Sequence, residues 1–189
     1  WGAVQCPDFA QVASDKKAYA KATRQQYDQQ DEIYGKTVIQ RHGKQMLVQN
    51  PPALSLTQEE LDAVYQLPFQ RKPHPMYDAQ GGVPGIAEVQ FSIAHNRGCF
   101  GYCNFCSIAL HQGRRVTCRS EESILKEAKQ ITEMPNFKGY IHDVGGPTAN
   151  FRAPSCKKQL TKGLCKGKKC LAPEICPAIH ADHSEYLHI

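Results

Sequence analysis

The sequence predicts an α/β fold: β/α units preceded by a small α+β segment. Three observations predict it. Residues 87–94 (AEVQFSIA) form a short apolar run with strand character. Residues 120–134 place Ile124, Leu125, Ala128 and Ile131 at helical spacing on one face. Residues 139–144 (GYIHDV) are a second strand-like run, broken by Gly145-Gly146-Pro147. The order strand, loop, helix, strand, glycine loop puts the working loops at the carboxyl ends of the strands.

The elements in front are read in chain order. A helix is expected over 14–35, with Ser14 or Asp15 capping its start and Gly35 its end. Its apolar stripe of Tyr19, Tyr27, Ile33 and Tyr34 is thin, which predicts a surface helix. Residues 36–40 and 45–49 read as strands of a hairpin that Pro51-Pro52 stops. Thr57 and Glu60 make a capping box, with Leu56 and Leu61 placed as a hydrophobic staple, so a helix starts there and ends at Leu67-Pro68. Residues 69–86 hold Pro73, Pro75, Pro84, Gly81, Gly82 and Gly85 and read as a connector. A domain boundary near residue 80 is expected, giving an N-terminal α+β segment over 1–80 and a second region over 81–189. Ser120 caps the later helix, whose first turn carries Glu121 and Glu122 at the positive end of the dipole, and Met134-Pro135 ends it.

Composition narrows the class. The chain has 189 residues, 41% hydrophobic and 22% charged, ordinary for a globular protein of one to one and a half domains. A net charge of +5 is only a mild pull on anionic partners. No run approaches the ~20 apolar residues that span a bilayer. Trp1-Gly2-Ala3-Val4 carries neither an initiator Met nor a signal pattern, so the sequence reads as an internal piece of a longer, cytoplasmic protein. Nine cysteines, an odd number, with eight after position 98, favour metal ligation in a reducing compartment over a disulfide scaffold.

The cysteines fall into two groups. Cys99, Cys103 and Cys106 stand as C-x3-C-x2-C in Arg97-Gly98-Cys99-Phe100-Gly101-Tyr102-Cys103-Asn104-Phe105-Cys106. Three thiolates this close can hold three irons of a cubane and leave the fourth open to a substrate or cofactor. A structural zinc is the other reading, with His95 or Cys118 completing the ligand set. Cys156, Cys165, Cys170 and Cys176 form the second group, in a loop-like stretch with Pro154, Gly163, Gly167, Pro173 and Pro177. Such a stretch needs a staple, either a zinc, an auxiliary Fe–S cluster or disulfides, and His180 or His183 could replace one ligand. Lys157, Lys158, Lys162, Lys166, Lys168 and Lys169 crowd the same stretch, where they would favour metal capture, meet nucleic-acid phosphates or simply face solvent. A zinc- or cluster-stabilised nucleic-acid-binding module built on 157–169 is therefore the alternative function. No aromatic residue interleaves with the lysines, which weakens it. Cys6 reads as a free thiol and Cys118 as a buried small apolar residue.

The three-cysteine spacing, with Phe105 before its last cysteine, resembles the signature of radical S-adenosylmethionine (SAM) enzymes. The wider chain resembles the YgiQ-like radical SAM family. The resemblance is carried by Asn50-Pro51-Pro52, Leu67-Pro68-Phe69, Pro73-His74-Pro75, Arg97-Gly98-Cys99-Phe100-Gly101, Cys106-Ser107-Ile108, Arg119-Ser120-Glu121-Glu122-Ser123 and Gly145-Gly146-Pro147-Thr148-Ala149-Asn150. It implies a radical SAM partial TIM barrel beginning near residue 81, with a cysteine-rich insertion over 156–176. It implies a [4Fe–4S] cluster on Cys99, Cys103 and Cys106, SAM at the open iron, and reductive cleavage of SAM to a 5′-deoxyadenosyl radical. Phe105 would shield the cluster and lie near the adenine, and Gly145 and Gly146 would receive the SAM amino group, with help from Asp143. This chain has Gly-Gly-Pro where the commoner pattern is Gly-Gly-Glu, so backbone carbonyls would have to serve. Gly98 and Gly101 would let the loop bend tightly, and Arg97 would offset the cluster's charge. The implied partners are SAM and an electron donor such as a flavodoxin or ferredoxin; no substrate is implied. The strands that complete the barrel are expected downstream, so this piece alone would hold a cluster but turn over poorly.

Overall fold

The structure, a computed structural model, describes residues 2–146, 151–152, 156–167, 169–180 and 184–189. In chain order the elements are β1 (Val4–Gln5), α1 (Phe9–Ser14), α2 (Lys16–Asp28), β2 (Val38–His42), β3 (Gln45–Gln49), α3 (Gln58–Tyr65), a 3-10 helix (Pro75–Gln80), α4 (Ile86–Val89), β4 (Ser92–Ala94), β5 (Asn96–Arg97), α5 (Ile108–His111), β6 (Thr117–Cys118), α6 (Glu121–Thr132), β7 (Asp143–Gly145), α7 (Lys158–Lys162) and α8 (Ser184–His188). This is a mixed α/β fold of small sheets and helices. Its contacts form two units, interleaved in sequence. One gathers the described residues of 1–55, 98–115 and 154–180; the other gathers those of 56–97, 116–153 and 181–189. A cut near residue 80 falls inside the second.

The first unit holds the sheet β1-β2-β3, with β1 parallel and β3 antiparallel to β2. Its apolar centre is small: Cys6, Ala22 and Val38, with Val12 against them. Cys6 is thus a free thiol in the core, and burial pushes it up from its ordinary range. The helix expected over 14–35 is shorter, α2 over Lys16–Asp28, and a separate helix, α1, precedes it. Asp15 is extended, and its carboxylate accepts the Lys17 N–H at 2.8 Å to start α2. That helix stops at Asp28 because the Asp31 side chain competes for the backbone. Its carboxylate accepts the N–H groups of Ile33 (2.7 Å) and Tyr34 (2.8 Å), so the chain turns there rather than coiling on to Gly35. The hairpin forms over 38–42 and 45–49, two residues later than expected on its first side.

The second unit holds two two-stranded pairings, β4-β7 parallel and β5-β6 antiparallel. The helix α6 lies between β4 and β7 in sequence, which makes a βαβ crossover with Ser92, Ile93 and Ala94 opposite Asp143, Val144 and Gly145. Ile124 and Ile131 of α6 pack with Phe91 and Ile93, and Phe137 meets Phe91 edge-on at 5.4 Å. Leu125, expected on this face, is exposed. The strand expected over 87–94 starts only at Ser92, since Pro84-Gly85 launch the single helical turn α4 ahead of it. The later strand runs over 143–145 rather than 139–144, because Gly139 has φ 102° and breaks its first half. The connector over 69–86 is also partly helical, with Pro75 at the first position of the 3-10 helix.

The caps of α3 and α6 form as read. Glu60 N–H donates to Thr57 Oγ1 at 3.2 Å while Thr57 N–H donates to Glu60 Oε2 at 2.8 Å, and Ser120 Oγ accepts the Ser123 N–H at 3.1 Å. Leu61 is buried, but Leu56, its expected staple partner, stays largely exposed. Thr57→Ala is expected to lower stability by about 1 kcal/mol, read as a shift in the urea midpoint at unchanged slope; no shift would mean that α3 does not depend on its cap.

Candidate metal centre

The first cysteine group lies on an irregular loop of the first unit, between β5 and α5. Backbone bonds pin its start: Cys99 N–H donates to Gly113 O at 3.1 Å, and Gly98 N–H donates to Gln112 Oε1 at 3.2 Å. Cys106 N–H donates to Cys103 O at 3.1 Å and closes the tight turn around the last two cysteines. Gly98 has φ 83°, a conformation open to glycine at little cost. Gly101 marks where two of the sulfurs lie: a Cβ there would stand 3.4 Å from Cys99 Sγ and 3.7 Å from Cys103 Sγ, ordinary van der Waals distances, so both sulfurs flank this glycine.

Tyr102 is the strained residue of the loop, at φ 50° without being glycine. Such a position costs about 1–3 kcal/mol and persists only where its surroundings enforce it. Here the Arg114 guanidinium lies over its ring at 4.1 Å and Tyr27 packs against it at 5.6 Å. Burial pushes the phenols of Tyr102 and Tyr34 above their ordinary range. No feature of the spacing flagged Tyr102 or Arg114; a left-handed tyrosine is visible only in the backbone.

The loop's far arm is tied to the N-terminal region through Glu32. Its carboxylate accepts the N–H (2.6 Å) and hydroxyl (2.5 Å) of Ser55 and a guanidinium N–H of Arg115 (2.5 Å). Burial alone would raise its pKa, but these bonds outweigh burial and hold the carboxyl below the usual range. A depressed folded pKa stabilises above the unfolded value and loses that contribution as pH falls through the folded one. Wild-type stability should therefore fall as pH drops below about 4.3, the unfolded value. Glu32→Gln should cost about 1.5–3 kcal/mol at pH 7 and flatten that acid limb in urea unfolding at stepped pH. An unchanged acid limb would remove Glu32 from the account.

The second group shares this unit. Cys156, Cys165, Cys170 and Cys176 are all partly exposed, as are Cys99 and Cys106, and Cys103 is exposed. No disulfide joins any of the nine cysteines. Among the described residues, no three Cys, His, Asp or Glu side chains converge tightly enough for one ion. A cavity of about 750 Å³ in this unit is lined by both Cys103 and Cys165, together with Tyr27, Tyr34, Tyr102 and Arg114.

The remaining predicted residues are placed as follows. Phe105 is 91% exposed, so its ring covers nothing in this chain. Gly145 and Gly146 belong to the second unit, where Gly145 ends β7 and its carbonyl accepts the His95 N–H at 2.9 Å. Asp143 is exposed on β7 and Arg97 is exposed on β5. His95 is fully buried against Tyr186 at 5.6 Å. Cys118 is buried, and burial pushes its thiol up to about 12, so it is protonated at neutral pH and reads as a core residue. His180 is exposed. Pro147, Thr148, Ala149, Asn150, Pro154, Lys168 and His183 lie outside the described residues.

Sequence reasoning also missed a buried polar network in the second unit. Glu127 accepts from both Arg71 and Arg119, and Arg119 is fully buried with its guanidinium over Tyr65 at 4.1 Å. Burial lowers Arg119 to about 10, and it stays charged at neutral pH.

Comparisons with known proteins identify the family. The family description "Radical SAM N-terminal" matches residues 1–92. A UPF0313 protein of Clostridium perfringens is 55% identical over 183 residues, which is 97% of this chain and 28% of that protein. A UPF0313 protein of Clostridium botulinum strain Okra is 53% identical over 186 residues, 98% of this chain and 29% of that protein. The chain thus spans under a third of the length of the curated relatives it matches. No solved structure matches it. Among the described residues no helix is long and apolar enough to cross a membrane.

These findings place the chain in the radical SAM superfamily. Within it, the chain belongs to the UPF0313, or YgiQ-like, family.

Proposed function

We propose that the protein is a radical SAM enzyme whose [4Fe–4S] cluster is held by Cys99, Cys103 and Cys106. One observation carries this reading: three cysteines sit on one pinned loop, and the sulfurs of two of them, Cys99 and Cys103, flank the same glycine, Gly101. The donor set fits the group. Soft thiolates select iron–sulfur clusters, and three of them satisfy three corners of a cubane.

When bound, the cluster supplies the electron that cleaves SAM to methionine and a 5′-deoxyadenosyl radical. The chain's own residues bind and shield. Cys99, Cys103 and Cys106 ligate, and Gly98 and Gly101 shape the loop around them. Phe105, left in solvent beside the last ligand, would cover the cluster or the adenine once the site is filled. Gly146, just past the carboxyl end of β7, would offer its backbone carbonyl to the SAM amino group, while the Gly145 carbonyl holds the His95 N–H. The parallel β4-α6-β7 unit is the start of the partial TIM barrel, which the longer protein completes. A flavodoxin or ferredoxin in the cytoplasm is the proposed electron donor.

The nucleic-acid reading gains no support from the lysines. Lys158 donates to Cys165 Sγ at 3.5 Å, Lys166 lies over the Tyr34 ring at 4.7 Å, and Lys169 donates to Asn104 Oδ1. These cations are engaged with the protein's own groups.

The test uses full-length protein, reconstituted anaerobically with iron and sulfide. Addition of SAM should change the EPR signal of the reduced protein, and dithionite with SAM should yield 5′-deoxyadenosine. A protein that binds iron on this loop yet shows neither response overturns the proposal.

A further inference from the structure

We propose that Cys156, Cys165, Cys170 and Cys176 hold a second iron–sulfur cluster, with all four corners occupied by side chains. The four residues span 21 positions and lie in one unit, in a stretch whose described residues form only the five-residue helix α7. Local bonds already tie them together. The Cys156 carbonyl accepts the Gln159 N–H at 3.1 Å, Gln159 Nε2 donates to Cys170 Sγ at 3.9 Å, and Cys176 N–H donates to the Cys170 carbonyl at 2.9 Å. Lys158 Nζ donates to Cys165 Sγ at 3.5 Å. Two of the sulfurs thus have N–H donors, the support that cluster-ligating thiolates receive from their surroundings.

The spacing favours a cluster over zinc. A structural zinc gathers four ligands about 2.3 Å from one centre, typically from two short turns of C-x2-C to C-x4-C. The spacings here are x8, x4 and x5, which supply only one such turn. A cubane spreads its four thiolates over four irons, and four cysteines complete it with no iron left open.

The stretch is joined to the first loop. Lys169 donates to Asn104, between Cys103 and Cys106, and Leu171 Cδ1 lies 3.9 Å from the side-chain position of Gly101. Cys165 and Cys103 line the same cavity of about 750 Å³. The second centre would therefore face the same space as the first.

This inference does not require the first cluster, so the experiment separates the two. Full-length wild type, a Cys99→Ala/Cys103→Ala/Cys106→Ala variant and a Cys156→Ser/Cys165→Ser/Cys170→Ser/Cys176→Ser variant are reconstituted anaerobically with iron and sulfide, then assayed for iron, zinc and reduced EPR signal. The wild type should hold about eight irons per chain and the triple variant about four. The triple variant's signal should not respond to SAM. The quadruple variant should retain about four irons and the SAM response. A colourless triple variant, or one holding zinc and no iron, overturns the second cluster whatever the first loop does. Iron in the triple variant supports it even if the wild type never responds to SAM and even if the quadruple variant does not fold.

Discussion

In the full-length protein, Cys103→Ala is expected to remove the first cluster and all SAM cleavage with it. Two thiolates would be left on the loop, and a cubane held at two corners is readily lost. Iron should fall by about four per chain, the SAM-dependent change in the EPR signal should vanish, and 5′-deoxyadenosine should drop to the level of protein-free controls. The fold should survive, because Cys103 is exposed and substitutions at exposed sites usually fall within about 0.5 kcal/mol. Cys118→Ala is the contrasting case. Its thiol is buried, protonated and bonded to the Phe151 carbonyl at 3.5 Å. The change should lower stability but leave iron and SAM cleavage intact. Full SAM cleavage by Cys103→Ala would show that the three-cysteine loop is not where the reaction occurs.

What was legible in the sequence was local. The Thr57–Glu60 box and the Ser120 cap span four residues each and form as read, because their bonds need nothing beyond the turn itself. The cysteine spacing was legible for the same reason. Element ends were not, because distant groups decide them. The end of α2 depends on Asp31, whose other carboxylate oxygen accepts the Leu164 N–H at 2.6 Å across 133 positions. Neither that partner nor the left-handed Tyr102 leaves a mark in periodicity. Leu125 was placed in the core by spacing alone, while the network that fills part of the second unit's interior is ionic and carries no periodic signal.

That network yields the largest expected loss of stability. Glu127→Leu in the full-length protein should cost about 3–5 kcal/mol, as a downward shift in the urea midpoint of the second unit. The reason lies at the strand edge. Phe91 O and the His95 N–H bond toward β7, so the carbonyls of Ser92 and Ala94 point to the opposite edge. Arg71 Nη1 donates to Ser92 O at 3.3 Å and to Gln90 O at 3.0 Å, while Arg119 Nη1 donates to Ala94 O at 3.1 Å. Two guanidinium groups thus take the place of a missing strand, and Glu127 on α6 bridges both. Leucine would leave a buried and a partly buried cation facing each other with no anion between them. Glu127→Gln keeps an acceptor and should cost less than the leucine change. Adding Arg119→Met to Glu127→Leu should recover part of the loss, because one uncompensated charge goes with it, though Ala94 O and Ser123 O would then lack their donor. A Glu127→Leu midpoint within error of wild type would mean that solvent reaches these arginines and that the strand edge is held some other way.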